Sequence, residues 1–436
     1  MGWGDIDVNG EPHRETPELR RMAEEGCILT DFYTAAPLCS PCEPIFSFTG
    51  NLNDTRAAVL TGRLPVRTGF YSTNARGRNA YTPQEIMGGI YDEEVLISEL
   101  LSQANYTTKI VGKWHLGHRP PYLPLRHGFK EWFGSPNCHF GPYSNSVEDR
   151  PNIPVYHDSI MVGRCDYLFH VAKEAVQFLI DLAKTGAPFF LYWAPDSTHS
   201  PHYASPKFRG KSSRGLYGDA IMELDNSIGI ILTTLKELKL DKNTYVFFTS
   251  DNGAALVDGD QGGSNGPFLC GKQTTFEGGM RVPGIAWAPG RIPAGSTVQR
   301  DYRTVLMQEM SSSQFNMYSQ EKPVFYYRGD LLMTVRLNLY KAHLWTWATP
   351  EYELVKGINF CPGMSLQDIV TSEQKNHTKS PILFHLGRDP GEKFPIPSSS
   401  AEYKKVMPAL ERVVAEHIGN LIPGKPALNW CDQHVM

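Results

Sequence analysis

Two oxygen-bearing side chains stand together where the apolar, β-prone run Thr244-Tyr-Val-Phe-Phe-Thr249 gives way to Ser250-Asp251-Asn252-Gly253. A carboxylate beside an amide oxygen at a strand end suits a hard cation such as calcium or magnesium, although the same tetrapeptide also reads as an Asx turn closing a strand. Gly112-Lys113-Trp114-His115-Leu116-Gly117 sets a cation and an imidazole two residues apart. In extended backbone both would point the same way, and together they could hold an anion and transfer a proton. Taken alone, a solvated lysine and a hydrogen-bonded histidine explain that pair more simply. Lys272 is a further cation, set among the glycines of Gln261-Gly-Gly-Ser-Asn-Gly266 and Gly271-Lys272-Gln-Thr-Thr-Phe-Glu-Gly-Gly279, where backbone can approach a ligand closely. His199, in Asp196-Ser-Thr-His-Ser-Pro201, follows the apolar run ending at Trp193; by itself a loop histidine is more often structural than catalytic.

These residues need elements to position them. Lys109 to Gly112, Pro188 to Trp193 and Thr244 to Thr249 read as strands that open into polar loops, and Ile221, Leu224, Ile228, Ile231, Leu232 and Leu235 repeat at helical spacing between Tyr217 and Leu238. Strand, helix, strand predicts a parallel sheet, and in open α/β sheets ligands bind outside the carboxyl ends of the strands. Shorter helices are expected at Pro17 to Glu25, with Thr16 as N-cap, at Glu94 to Gln103 and at Ala401 to His417. Polar, aperiodic sequence from 296 to 322 marks a boundary between a domain of residues 1–320 and one of 321–436, the latter with short strands near 323–328, 331–336 and 343–347.

With 436 residues and 41% hydrophobic side chains the chain can build a sizeable core, and a net charge of -4 offers no field for nucleic acid or anionic membrane. No stretch approaches the roughly 20 apolar residues that span a bilayer, and Met1-Gly-Trp-Gly-Asp5 has no signal-peptide character. Eight cysteines are scattered without CxxC pairs, which argues against a zinc ribbon, and sequons stand at Asn53, Asn105 and Asn376.

The order of segments adds what single motifs lack. Leu38-Cys39-Ser40-Pro41 and, after an intervening stretch, Arg56-Ala-Ala-Val-Leu-Thr-Gly-Arg63 are followed by Gly-Lys-Trp-His-Leu-Gly, Thr198-His199, Ser-Asp-Asn-Gly and Gly-Lys-Gln-Thr-Thr-Phe-Glu-Gly-Gly. This series resembles the sulfatase family, lysosomal arylsulfatases in particular. The resemblance implies an α/β fold of the alkaline-phosphatase type, a mixed sheet flanked by helices with a smaller C-terminal antiparallel β domain. It implies one calcium ion and a formylglycine made from Cys39 by a formylglycine-generating enzyme. Carried over, Cys39 is the nucleophile precursor and Arg56 its support; Cys39, Asp251 and Asn252 hold the metal. Lys113 and Lys272 neutralise sulfate oxygens, Asp251 helps to deprotonate the attacking hydroxyl, His199 protonates the leaving sugar oxygen, and His115 assists release of sulfate. Tyr81 joins Lys113, His199 and Lys272 in the substrate pocket, and Cys270 pairs with Cys361. The implied substrates are chain-end 6-sulfates of N-acetylgalactosamine in chondroitin sulfate and of galactose in keratan sulfate, hydrolysed by a lysosomal homodimer.

The chain also departs from the family pattern. It begins just after the Asp-Asp pair of the family's calcium site, so the sheet is expected to lack a central strand. Residues 42 to 55 stand where the family has one residue, putting Glu43 at the fourth position after Cys39, where the modifying enzyme reads arginine. The insert is expected to prevent conversion of Cys39 and to displace Arg56 from its helix start. Alternatives to an active sulfatase are therefore a catalytically inactive paralogue, or a misjoined or alternatively spliced form, that binds sulfated glycans or a partner subunit. A metal-dependent phosphatase is disfavoured because no HxxxH or paired Asp-His cluster is evident.

Overall fold

The computed structural model describes residues 1–37, 54–73, 86–137, 146–147, 150–151, 154–163, 168–200, 202–298, 302–303, 323–347, 359, 361–362 and 374–430. In chain order the elements that matter are helix α1 (Pro17–Glu24), strand β1 (Cys27–Leu29), α2 (Asp54–Thr61), α3 (Ile97–Gln103), β2 (Thr107–Gly112), β3 (Glu131–Gly134), β4 (Val155–His157) and β5 (Ile160–Gly163). There follow α4 (Leu168–Thr185), β6 (Phe189–Ala194), α5 (Gly215–Glu237), β7 (Val246–Thr249), β8 (Gly284–Trp287) and β9 (Ser296–Val298). The C-terminal region adds β10 (Val324–Arg328), β11 (Leu331–Leu337), β12 (Tyr340–His343), β13 (Ile382–His385) and α6 (Ala401–Gly419).

One ladder runs β5-β4-β3-β2-β6, parallel across β3, β2 and β6 and antiparallel at β4 and β5. A second runs β7-β8-β1-β9, with only β1 and β9 parallel. The expected β6–α5–β7 unit is present, but the one parallel neighbour of β6, β2, lies in the first ladder, and β7 opens the second. Among the described residues no ladder joins β6 to β7. Local pattern identifies a crossover but not which strands end up adjacent. Both strands stay half-exposed along most of their length, whereas β8 is buried throughout. The two ladders meet through side chains: Phe189, Leu191 and Trp193 of β6 and Val246 and Phe248 of β7 pack into one core with Leu224, Ile228 and Leu232 of α5 and Ala175 and Leu179 of α4.

Pro17 opens α1, but Thr16 does not cap it with its side chain; its hydroxyl is engaged with Asp7. The N–H groups of Glu18 and Leu19 donate instead to the Asp225 carboxylate, at 3.0 and 2.8 Å, so the cap comes from α5 across the core. Burial pushes the Asp225 carboxyl up to about 7 against the pull of those two N–H groups.

Strands β10 to β13 form an antiparallel sheet whose Val335 and Leu383 pack on Met407 and Leu410 of α6. This smaller region is tied to the larger one by a Cys270–Cys361 disulfide and by a buried ionic cluster. Lys341 Nζ lies 2.9 Å from Glu277 Oε1 and 3.1 Å from Glu392 Oε1; Tyr33 donates to Glu277 Oε2 at 2.5 Å, and the Glu277 N–H donates to Glu392 Oε2 at 2.6 Å. Asp31, Arg281 and Arg336 complete it, so three carboxylates face three cations. Burial alone would raise the Glu277 carboxyl, but Lys341, then Arg281 and Arg336, outweigh it and hold it at about 2.

Candidate active site

Arg56 is the side chain on which the site converges. It lies in the first turn of α2, and its Nη1 donates to the Lys113 carbonyl at 2.7 Å and to the Tyr192 hydroxyl at 3.4 Å. Its Nη2 stands 4.0 Å from Asp251 Oδ2. One buried guanidinium thus links the segment after β2, the strand β6 and the end of β7. The expectation that residues 42 to 55 displace Arg56 from the helix start is overturned. Helix α2 docks through Ala57 and Leu60 in the core beside Ile110 and Trp114, and that packing sets its register whatever precedes it.

Lys113 follows the last residue of β2, and its N–H donates to the Ala194 carbonyl at 2.8 Å, holding the ends of β2 and β6 together. The side chain is buried, with Nζ 3.5 Å from Asp196 Oδ1. His115 is also buried, but its φ of +65° is left-handed, so the extended geometry expected from the Lys113–His115 spacing is not what places the imidazole. Its N–H donates to the Pro136 carbonyl at 3.1 Å, which anchors the turn.

Asp251 and Asn252 occupy the loop after β7. The Asp251 carbonyl accepts from Thr34 Oγ1 at 2.8 Å, and its carboxylate is partly open to solvent. Asn252 is buried; its Nδ2 donates to the Gly253 carbonyl at 2.9 Å, which turns Oδ1 away, and Oδ1 has no hydrogen-bond partner among the described residues. A buried unsatisfied amide oxygen next to a carboxylate fits calcium, which takes oxygen ligands of both kinds. Among the described residues no group of three or more His, Cys, Asp or Glu gathers in metal-binding reach, so these two residues are the part of such a shell that can be named.

Lys272 is buried, its N–H donating to the Ala254 carbonyl at 2.9 Å, and Gln273 beside it donates to the Pro37 carbonyl at 2.7 Å. His199 is half-buried in the loop after β6; its N–H donates to the Asp196 carbonyl at 2.8 Å and its Nδ1 contacts the Ser200 carbonyl. Cys39 and Tyr81 lie outside the described residues. Arg56, Lys113 and Asp251 are thus joined by direct contacts, with His199 one hydrogen bond from the residue that faces Lys113. Sequence reading missed Tyr192 and Asp196. Burial pushes the Tyr192 phenol up, with the Arg56 cation opposing it. The available signals were a tyrosine alternating with Phe190 on a strand that ends at the site, and an acid three residues before His199.

The sulfatase family model matches residues 1–318 and the model for the C-terminal region of aryl-sulfatase matches residues 319–436. N-acetylgalactosamine-6-sulfatase of Canis lupus familiaris is 52% identical over 470 residues, covering 100% of this chain and 87% of that protein. The Homo sapiens enzyme of the same name is 51% identical over 469 residues with the same coverage, 100% and 87%. Among solved structures, the PsFucS1 sulfatase from Pseudoalteromonas sp. superposes with a TM-score of 0.78 at 25% identity, over 97% of this chain and 90% of that one. Matched from end to end by these two models, the chain belongs to the sulfatase family of sulfuric ester hydrolases.

Proposed function

We propose that this sulfatase removes 6-sulfate from N-acetylgalactosamine and galactose residues at the ends of chondroitin and keratan sulfate chains. The observation that carries the reading is the Arg56 junction with Lys113 and Asp251, set in a chain about half identical to N-acetylgalactosamine-6-sulfatases. Cys39, converted to formylglycine, would supply the nucleophilic hydroxyl, and calcium held by Asp251 and Asn252 would supply positive charge to a sulfate oxygen. The chain's own residues do the rest. Arg56 fixes the Lys113 backbone and faces the Asp251 carboxylate, so the two sides of the site keep their spacing. Lys113 and Lys272 bring buried cations to the sulfate, where charge redistributes as the S–O bond breaks and where low surrounding polarity strengthens their effect. Asp251 takes the proton of the attacking hydroxyl, His199 gives one to the departing sugar oxygen, and His115 takes the proton that accompanies sulfate release. Tyr81 contacts the sugar. By the same resemblance the enzyme acts as a homodimer in the lysosome; exposed Asn105 and Asn376 provide sequons for a secretory route.

A second reading, a catalytically silent sulfatase that binds sulfated glycans, is favoured by Glu43 standing where the modifying enzyme reads arginine. One experiment separates them. The chain is co-expressed with formylglycine-generating enzyme, the Cys39 peptide is weighed by mass spectrometry, and sulfate release is measured from galactose 6-sulfate and galactose 4-sulfate with calcium. Formylglycine with 6-selective release supports the first reading. Formylglycine without such release sinks it, and an unmodified thiol with no turnover selects the second.

A further inference from the structure

We propose that Asp196 is an electrostatic counterweight to Lys113, a positioning residue that weakens the site's hold on inorganic sulfate so that the product anion can leave. The proposal rests on the sulfatase reading of the site. Asp196 is buried, and its Oδ1 has no hydrogen-bond partner among the described residues although it lies 3.5 Å from the equally buried Lys113 ammonium. A buried carboxylate oxygen without hydrogen bonds is costly, and its compensation here is charge, not a directed N–H. The ammonium is thereby held to that oxygen by charge attraction, not by a directed hydrogen bond.

The position of Asp196 in the chain fits this role. It stands two residues beyond β6, whose final residue, Ala194, accepts the Lys113 N–H, so main chain and side chain of Lys113 are both referred to the same segment. The His199 N–H donates to the Asp196 carbonyl, so the segment that faces Lys113 also sets the start of the His199 loop. An anion bound at Lys113 competes with Asp196 for one cation, and a divalent product gains most from the removal of a nearby negative charge.

The test is titration of the chain with sodium sulfate at constant low ionic strength, followed by calorimetry and by the fluorescence of Trp114 and Trp193. Asp196→Asn, similar in shape and uncharged, is expected to bind sulfate about tenfold more tightly. That gain should shrink on a Lys113→Gln background to what direct charge repulsion alone supplies, because the carboxylate acts mainly through the ammonium. A folded Asp196→Asn chain with unchanged or weaker sulfate affinity overturns the proposal, as does a gain that survives intact without Lys113. If the asparagine variant does not fold, Asp196→Glu carries the test: charge is kept, so affinity should stay within about threefold of the parent, and a tenfold gain overturns it. A parent chain that binds no sulfate at all fails the sulfatase reading of the site itself, and the counterweight falls with it.

Discussion

Lys341 and Lys113 are both buried lysines, and they meet their carboxylates differently. Lys341 touches two, at 2.9 and 3.1 Å, inside a cluster where Tyr33 and the Glu277 N–H fill further acceptor positions. Lys113 stands 3.5 Å from an oxygen without a hydrogen bond, and Asn252, across the Arg56 junction, carries another such oxygen. One cluster is closed on itself and joins the two regions of the chain. The other leaves two acceptors, Asp196 Oδ1 and Asn252 Oδ1, without hydrogen bonds among the described residues. Full satisfaction belongs with structure, and partial satisfaction with a site that completes itself on a ligand.

The contrast can be broken most forcefully at Lys341. Lys341→Met leaves Glu277 and Glu392 buried without their shared cation and is expected to cost about 3–5 kcal/mol in chemical denaturation. A loss under about 1 kcal/mol would show that the closed cluster does not hold the regions together. At the open cluster, Asn252→Ala should change stability by only about 1 kcal/mol, the worth of the Nδ2 hydrogen bond to Gly253. If calcium raises the melting temperature of the parent chain, as the proposed role of Asn252 predicts, the substitution should abolish most of that rise. If calcium stabilises both chains alike, Asn252 is not a ligand.

The smallest effect is a pH effect at His343, whose Nε2 lies 2.7 Å from Glu392 Oε1. Burial holds this imidazole below its ordinary range; Glu392 and Glu277 oppose that and Lys341 reinforces it. Below about pH 6.5 the unfolded chain takes up a proton that the native ring refuses, so this contribution is present above that pH and lost as pH falls. His343→Gln should therefore lose less stability than the parent between neutral pH and pH 5, a difference on the order of 1 kcal/mol. Equal slopes in the two chains would mean that the ring titrates normally.

The long helix and the strand ends bearing Lys113 and Asp251 were legible because their periodicity is strong and local. The Lys341 cluster was not, since Tyr33, Glu277, Lys341 and Glu392 are far apart in sequence and each reads alone as a surface residue. Nor was the cap of α1: Thr16 has the right type and place, and only the tertiary approach of Asp225 shows that another carboxylate has taken the task. Arg56 was identified but misplaced, because the length of the preceding segment was weighed and the anchoring of α2 by Ala57 and Leu60 could not be. Asp196 went unnoticed beside a histidine that family resemblance had already singled out.

The split between β6 and β7 has a mechanical consequence. Lys113, His115, Asp196 and His199 ride on the first ladder, Asp251 and Asn252 on the second, and backbone hydrogen bonds do not lock one to the other among the described residues. Between the half of the site that bears Lys113 and the half that bears Asp251, what remains to resist sliding among the described residues is the interlocking of side chains under α5 and the Arg56 guanidinium that spans the two.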